Sequence, residues 1–315
     1  MVAPTHPLIE LRRLHRFFGP TRAVNDISFE VPAGTVFGYI GPNGAGKTTS
    51  MRILATLELP TFGDAYVDGF SVVDDPDRVR KRLGFMPDYF GTYPNVNVWE
   101  YLDFFARAYG LIGRERHRAL QHVMEFTHLD RLAEKPINGL SKGMKQRLCL
   151  GRALVHDPAV LILDEPAAGL DPRARIELRE MIRQLAADGK AILVSSHILT
   201  ELAEMCDRVA IIEVGRLIAT GSVDDIQRQL QPHREVQVKV LGDSTAAAQW
   251  LAARTDVADV RLEGAALRFS HQGDQASEAA LLREMILAGF PVAEFGAYNK
   301  SLEEVFLQVT QGAVQ

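Results

Sequence analysis

A chain of 315 residues, 47% hydrophobic and 24% charged, is long enough for two compact domains and has the composition of an ordinary globular protein. Its 35 basic and 40 acidic residues leave a net charge of −5, which argues against a broad nucleic-acid-binding face and removes nucleic acid from the expected partners, a local basic patch aside. No apolar run approaches the roughly 18 residues that span a bilayer, and Met1-Val2-Ala3-Pro4-Thr5-His6 lacks the charged-then-apolar order of a signal peptide, so a cytoplasmic location is expected. Cys149 and Cys206 each fall in a helix-like stretch and read as buried small hydrophobes, neither disulfide nor metal site.

The first informative segment runs from a strand-like Thr35 to Ile40, through Gly41-Pro42-Asn43-Gly44-Ala45-Gly46-Lys47-Thr48-Thr49, into a helix-like Ser50 to Leu57. Small residues at Gly41, Gly44, Ala45 and Gly46 let backbone N–H groups gather round a triphosphate, and the helix start adds partial positive charge. Lys47 reaches the terminal phosphates and Thr48 offers a hydroxyl to Mg²⁺. The order strand, loop, helix predicts a bound ATP or GTP.

Between Tyr89 and Gly139 the pattern turns helical, with Val98, Tyr101, Leu102, Phe105 and Tyr109 on one stripe and a second helix over His117 to Phe126. Farther on, Val160 to Leu163 is a short apolar run that ends in Asp164 and Glu165, as a buried parallel strand would. Behind a phosphate loop, a carboxylate at such a strand end faces the Mg²⁺ beside Thr48, which makes Asp164 the expected metal ligand. Glu165 is then placed to orient or polarise an attacking water.

Leu140-Ser141-Lys142-Gly143-Met144-Lys145-Gln146-Arg147 precedes the helical run Leu148 to Val155. Together with the phosphate loop and the Leu163-Asp164-Glu165 strand end, it resembles the signature motif of ABC ATPases, usually Leu-Ser-Gly-Gly-Gln. Ala168-Gly169-Leu170-Asp171-Pro172 looks like the family's D-loop, and Ser195-Ser196-His197, after the strand Ala191 to Val194, like its switch histidine. The resemblance implies an α/β phosphate-loop NTPase fold of ABC type with an inserted helical subdomain, about 89–157. It also implies a head-to-tail dimer that holds ATP between one subunit's phosphate loop and the other's signature. By that likeness Phe18 stacks on adenine, with Phe17 its competitor. Gly41, Asn43, Gly44, Ala45, Gly46, Lys47, Thr48 and Thr49 bind the nucleotide, and Ser141 and Gly143 meet the partner's γ-phosphate. Asp171 crosses the interface, and His197 contacts the γ-phosphate with Glu165 and Lys47 as its catalytic companions. Two positions depart from the common pattern. Lys142 replaces a glycine, pointing either to solvent or toward the partner's nucleotide. Asp88 stands where many members carry a glutamine that senses Mg²⁺ and the membrane partner, and it is the third expected metal-side residue after Thr48 and Asp164.

Near Gln231-Pro232-His233 the rhythm changes, and a boundary is expected between domains 1–232 and 233–315. Strand, helix, strand, strand, helix, strand over Glu235 to Tyr298 predicts a C-terminal α+β ferredoxin-like domain. A closing helix follows, with Leu302, Val305, Phe306 and Val309 at helical spacing. Without a catalytic constellation, that domain reads as regulatory or dimerising. His233 and His271 are expected in solvent and no metal cluster is visible.

The lysine-bearing signature, Met86 to Gly91 with Val98 to Leu102, and Ser301-Leu302-Glu303-Glu304-Val305-Phe306 are similar to stand-alone ATP-binding subunits of bacterial drug- and antibiotic-resistance exporters. That likeness implies a Mg²⁺-dependent ATPase, peripheral on the inner face of the membrane, powering a separate transmembrane permease with a second ATPase subunit, a homodimer being expected. An importer subunit is the nearest rival. A soluble ABC ATPase acting on nucleic acid or the ribosome is the more distant one.

Overall fold

The computed structural model describes residues 6–89, 91, 95–196, 202, 204–222, 225–226, 234–264 and 266–298. Described residues up to Ser222 fall in one compact unit and those from Asp225 in a second. The boundary expected near 232, the switch histidine His197 and the closing segment 301–315 lie outside the described residues.

The first unit opens with β1 (Ile9–Phe18) and β2 (Thr21–Val31), an antiparallel pair joined at the tight Gly19-Pro20 turn. With β4 (Phe62–Val67) and β5 (Phe70–Ser71) they form a four-stranded antiparallel sheet in the order β2-β1-β4-β5. A second sheet takes β3 (Val36–Ile40), β6 (Leu83–Met86), β7 (Val160–Leu163), β8 (Ala191–Ser196), β9 (Arg208–Glu213) and β10 (Arg216–Gly221) in the order β10-β9-β3-β8-β7-β6. All its pairings are parallel except the β9–β10 hairpin. Strands β3, β7 and β8 are buried at every position, which is why they read as unbroken apolar runs rather than alternating ones.

The core lies where the two sheets meet. Ile9, Leu11, Leu14, Val24 and Ile27 of the antiparallel sheet join Phe37, Tyr39, Ile162 and Leu193 of the parallel one. Helix α1 (Lys47–Leu54) adds Met51, Ile53 and Leu54, all fully buried, each side chain contributing roughly 1.5–3 kcal/mol. Phe29 stacks on Phe37 at 5.0 Å, which welds the sheets together.

Helix α2 (Pro76–Arg82) leads directly into the edge strand β6. The expected helical subdomain is present as α3 (Val98–Ala108), α4 (Gly113–Phe126), two 3₁₀ turns, and α5 (Lys142–Leu154). Asn97 and Glu100 close a capping box at the start of α3, satisfying N–H groups that its first turn leaves without helical partners. On α3, Val98, Tyr101 and Leu102 are buried, whereas Phe104 and Tyr109 are exposed, so its aromatics divide between core and surface. Helix α6 (Pro172–Ala187) then returns the chain to β8. Cys149 is buried in α5, and burial pushes its thiol up to about 11. Cys206 is not helical, contrary to expectation. It packs against Gly38 of β3, where there is no room for a further side chain.

The second unit runs β11 (Arg234–Val240), α7 (Ser244–Ala252), β12 (Val257–Glu263), β13 (Ala266–His271), α8 (Gln275–Leu287), β14 (Val292–Ala297). Its sheet order β12-β13-β11-β14 is fully antiparallel, which is the ferredoxin-like topology that the element order predicts. Val236, Val238, Leu267 and Phe269 face α7 and α8 across a small core. His271 is a correction. It continues the buried parity of Leu267 and Phe269 and is only 2% exposed, with Nε2 3.7 Å from Asp256, so it is not in solvent. No helix among the described residues is long and apolar enough to cross a membrane.

Candidate functional site

Strands β3, β8 and β7 are neighbours, and their carboxyl ends carry the phosphate loop, Ser195 and the Asp164-Glu165 pair respectively. A parallel sheet thereby collects on one edge groups that stand more than a hundred residues apart in the sequence. That edge is where ligands settle in open α/β sheets.

The loop's shape is dictated by backbone on both sides. Gly46, the N-cap of α1, has φ +103°, and a Cβ there would collide with the carbonyl of Ala23 in β2. A Cβ on Gly41 would run into the carbonyl of Ile212 in β9. Ala45 donates its N–H to Pro42 (3.1 Å) and accepts from Gly215, in the β9–β10 turn, at 3.0 Å. Asn43, Gly44 and Thr48 are exposed, Thr49 is half-buried and Ala45 is buried. Below the loop Ser50 donates to the Gly46 carbonyl at 2.9 Å, and its Oγ lies 3.1 Å from the hydroxyl of buried Tyr39.

Lys47 is 5% exposed, and its Nζ donates to the carbonyls of Gly41 (2.6 Å) and Pro42 (3.2 Å). Burial lowers its pKa, and the negative charges of Glu165 and Asp164 act in the opposite direction. The ammonium therefore lies within electrostatic reach of both carboxylates.

Asp164 is 1% exposed, and its Oδ1 accepts from Ser195 Oγ at 2.6 Å. The same Ser195 oxygen accepts the backbone N–H of Glu165 at 2.9 Å. Glu165 has φ +50°, a left-handed conformation rare for a residue with a Cβ and often found where function over-determines the backbone. Ser195, which the sequence marks only as part of the histidine motif, thus fixes both acids at once. Its sequence signal is slight, a hydroxyl at the end of an apolar strand. Replacing it, Ser195→Ala, removes two hydrogen bonds from the pair. We expect kcat for ATP to fall about ten- to a hundredfold, as misplacement of reacting groups does, with nucleotide affinity retained. Steady-state hydrolysis and titration with a fluorescent ATP analogue check this, and an unchanged kcat would relegate the serine to packing.

The remaining expected residues gather elsewhere in the unit. Ser141 caps α5, its Oγ accepting from Met144 N at 3.3 Å. Gly143 lies against Ala174 in the first turn of α6, where a Cβ would approach to 3.2 Å. Asp171 caps α6 through Oδ1, which accepts from Ala174 N at 2.9 Å. The starts of α5 and α6 are thus packed together. Lys142 is exposed, and its ammonium lies over Gly169, whose φ of +65° and absent side chain make the space.

Phe18 is 44% exposed, with the Arg16 guanidinium 4.4 Å from its ring centre and Arg16 paired to Glu58. Phe17 is half-buried and packs edge-on to His15 and Phe62, so Phe18 is the more accessible ring. Asp88 is exposed two residues past the end of β6, which is three strand positions from β3, about 14 Å at ordinary strand spacing. Among the described residues no group of three or more His, Cys, Asp or Glu forms a metal cage. The oxygens of Thr48 and Asp164 suit instead a Mg²⁺ that arrives with phosphates, the usual mode for that ion.

Comparison with known proteins identifies the family. Residues 24–168 match the family model for the ABC transporter, and residues 221–310 that for the DrrA1-3-like ATP-binding protein, C-terminal domain. The chain is 33% identical over 311 residues to Nod factor export ATP-binding protein I of Ralstonia nicotianae, covering 96% of this chain and 94% of that one. It is 30% identical to linearmycin resistance ATP-binding protein LnrL of Bacillus subtilis, covering 96% and 98%. Among solved structures, an ATP-binding subunit of an ABC transporter is 34% identical with a TM-score of 0.65, over 70% of this chain and 92% of that one. The chain belongs to the ABC transporter family, among the ATP-binding proteins that carry a DrrA-like C-terminal domain.

Proposed function

We propose that the chain hydrolyses Mg·ATP to ADP and phosphate in a head-to-tail homodimer and so powers export through a separate membrane permease. The observation that carries this is the convergence of Lys47, Asp164 and Glu165, the acids pinned by Ser195, beside a phosphate loop whose backbone is set by its neighbours.

In that reading the loop amides and Lys47 hold the β- and γ-phosphates, and Thr48 and Asp164 would hold Mg²⁺, with Asp88 the third residue on the metal side. The metal supplies charge neutralisation on the phosphate oxygens. Glu165 orients the attacking water, and His197 contacts the γ-phosphate. Phe18 stacks on adenine, and Ser141, Gly143 and Asp171 serve the partner's site. Catalysis is then positioning plus electrostatic stabilisation, as phosphoryl transfer requires. The nucleotide-binding domain is taken to 232, a few residues into the second compact unit, and 233–315 act in regulation or dimerisation. The names of the two relatives, one for export and one for resistance, support export over import.

Affinity purification of the tagged chain from its own host tests the coupling. The expected result is a copurifying protein with about six membrane spans and an ATPase rate that rises in membranes containing it. Stimulation by nucleic acid instead, with none by membranes, would overturn the transport reading.

A further inference from the structure

Strand β6 is the edge of the parallel sheet, so the carbonyls of Leu83 and Phe85, two residues apart, point away from β7 and need partners elsewhere. The opposite edge is paired normally, with Asp164 N donating to the Met86 carbonyl at 2.8 Å. Both outward carbonyls are taken by the end of α5. His156 Nε2 lies 3.1 Å from the Leu83 oxygen, and Arg152 Nη2 donates to the Phe85 oxygen at 3.3 Å. Between them Gly84 has no side chain because the Ala153 carbonyl occupies the place of a Cβ.

Arg152 also grips α3, and His156 the residue that caps its C-terminus. The His156 ring stacks on Tyr109 with centroids 3.6 Å apart and planes within 9°. The Arg152 guanidinium lies 5.3 Å from the Phe105 ring centre, and its Nη1 donates to the Tyr101 hydroxyl at 3.4 Å. Burial pushes His156 down to about 4, which keeps the imidazole neutral at ordinary pH, and because the Leu83 carbonyl can only accept, the ring proton is assigned to Nε2.

From this geometry we infer that Arg152 and His156 are positioning residues that tie β6, and hence the Pro87-Asp88 segment that follows it, to the α3 helix. Three contacts on three consecutive residues leave β6 no independent slide along its axis. A tilt of α3 is passed to Asp88, and a shift of Asp88 to α3. The inference rests on reading the chain as a Mg²⁺-ATPase with Asp88 at its metal side.

The test compares the full-length chain with Arg152→Gln, Arg152→Lys and His156→Phe, the last keeping the ring stack and losing the bond to Leu83. Three quantities are read: ATP turnover, affinity for a fluorescent ATP analogue, and hydrogen exchange of peptides 83–89 and 98–109 with and without Mg·ATP. In the parent, ATP should slow exchange in both peptides together. Arg152→Gln should lower kcat about ten- to a hundredfold, by displacement of the Asp88 segment, with nucleotide affinity unchanged. It should also leave α3 unresponsive when ATP protects 83–89. Arg152→Lys should recover part of the rate, since an ammonium still reaches the Phe85 carbonyl, and His156→Phe should fall between.

A parental kcat with joint protection in Arg152→Gln overturns the inference, and so does parallel loss of stability and nucleotide affinity, which marks a purely structural role. If the parent itself does not turn over ATP, the reading of the activity fails instead. The exchange comparison then decides the mechanical tie alone: separate responses in Arg152→Gln support it, and joint responses overturn it.

Discussion

Glu165→Gln should bind ATP as tightly as the parent and lose hydrolysis by about a hundred- to ten-thousandfold, the range that a positioned proton acceptor contributes. The physical case begins with the backbone. Glu165 sits at φ +50° with its N–H held by Ser195, so the strain of the turn and the bond to β8 fix where the side chain starts. Glutamine fits the same space and keeps a carbonyl oxygen for hydrogen bonding, but it removes the negative charge and the basicity. Binding should survive because the phosphate loop and Lys47 are untouched. Proposed closure of the dimer on ATP gives a second readout: the variant should run as a stable dimer in size-exclusion chromatography with Mg·ATP, where the parent returns to monomer as it hydrolyses. Parental turnover by the variant would remove Glu165 from the reaction.

Lys47→Ala should fail at the earlier step. The ammonium is nearly enclosed, it already donates to two loop carbonyls, and it lies within electrostatic reach of two carboxylates, which repel a triphosphate. Without it the phosphates meet Asp164 and Glu165 with no side-chain cation of the loop to offset the repulsion, only backbone N–H groups and the Mg²⁺ that arrives with ATP. Loss of one partner from a desolvated, hydrogen-bonded charge pair costs about 2–5 kcal/mol, so affinity for ATP should fall by about thirty- to several-thousandfold. Titration calorimetry with ATP and with adenosine separates the contributions: the deficit should be confined to the phosphorylated ligand. An equal loss for both would mean that the loop had collapsed.

Much of the first unit was legible because nucleotide chemistry demands fixed local spacing. The loop from Gly41 to Thr49 and the run ending in Asp164 and Glu165 are each contiguous in sequence, and the structure places them at the ends of β3 and β7, on either side of β8. The antiparallel sheet was not read from the chain, and β1 shows why. Its alternation over Ile9 and Leu11 breaks where Arg13 takes φ +47° and the pairing register with β2 shifts between Leu11 and Leu14. A bulge inserts a residue and destroys the period of two that announces a strand. Ser195 was missed for another reason. Its partners Asp164 and Glu165 are about thirty residues away, and only the β7–β8 pairing brings them near. His271, by contrast, was readable: it shares parity with Leu267 and Phe269 on β13, and that alternation outweighs the expectation that a lone histidine is solvated.

The phosphate loop rests against the Ala23 carbonyl of β2 and the Gly215 amide of the β9–β10 turn, groups contributed by different sheets. Its conformational entropy is therefore surrendered when the core folds, not when nucleotide arrives. Nucleotide recognition is in this sense a property of the fold's rigidity. Loosening the β1–β2 hairpin or the β9–β10 turn, neither of which is assigned a phosphate contact, should weaken ATP as surely as a change in the loop, and ATP should in return raise the melting temperature of both sheets as one.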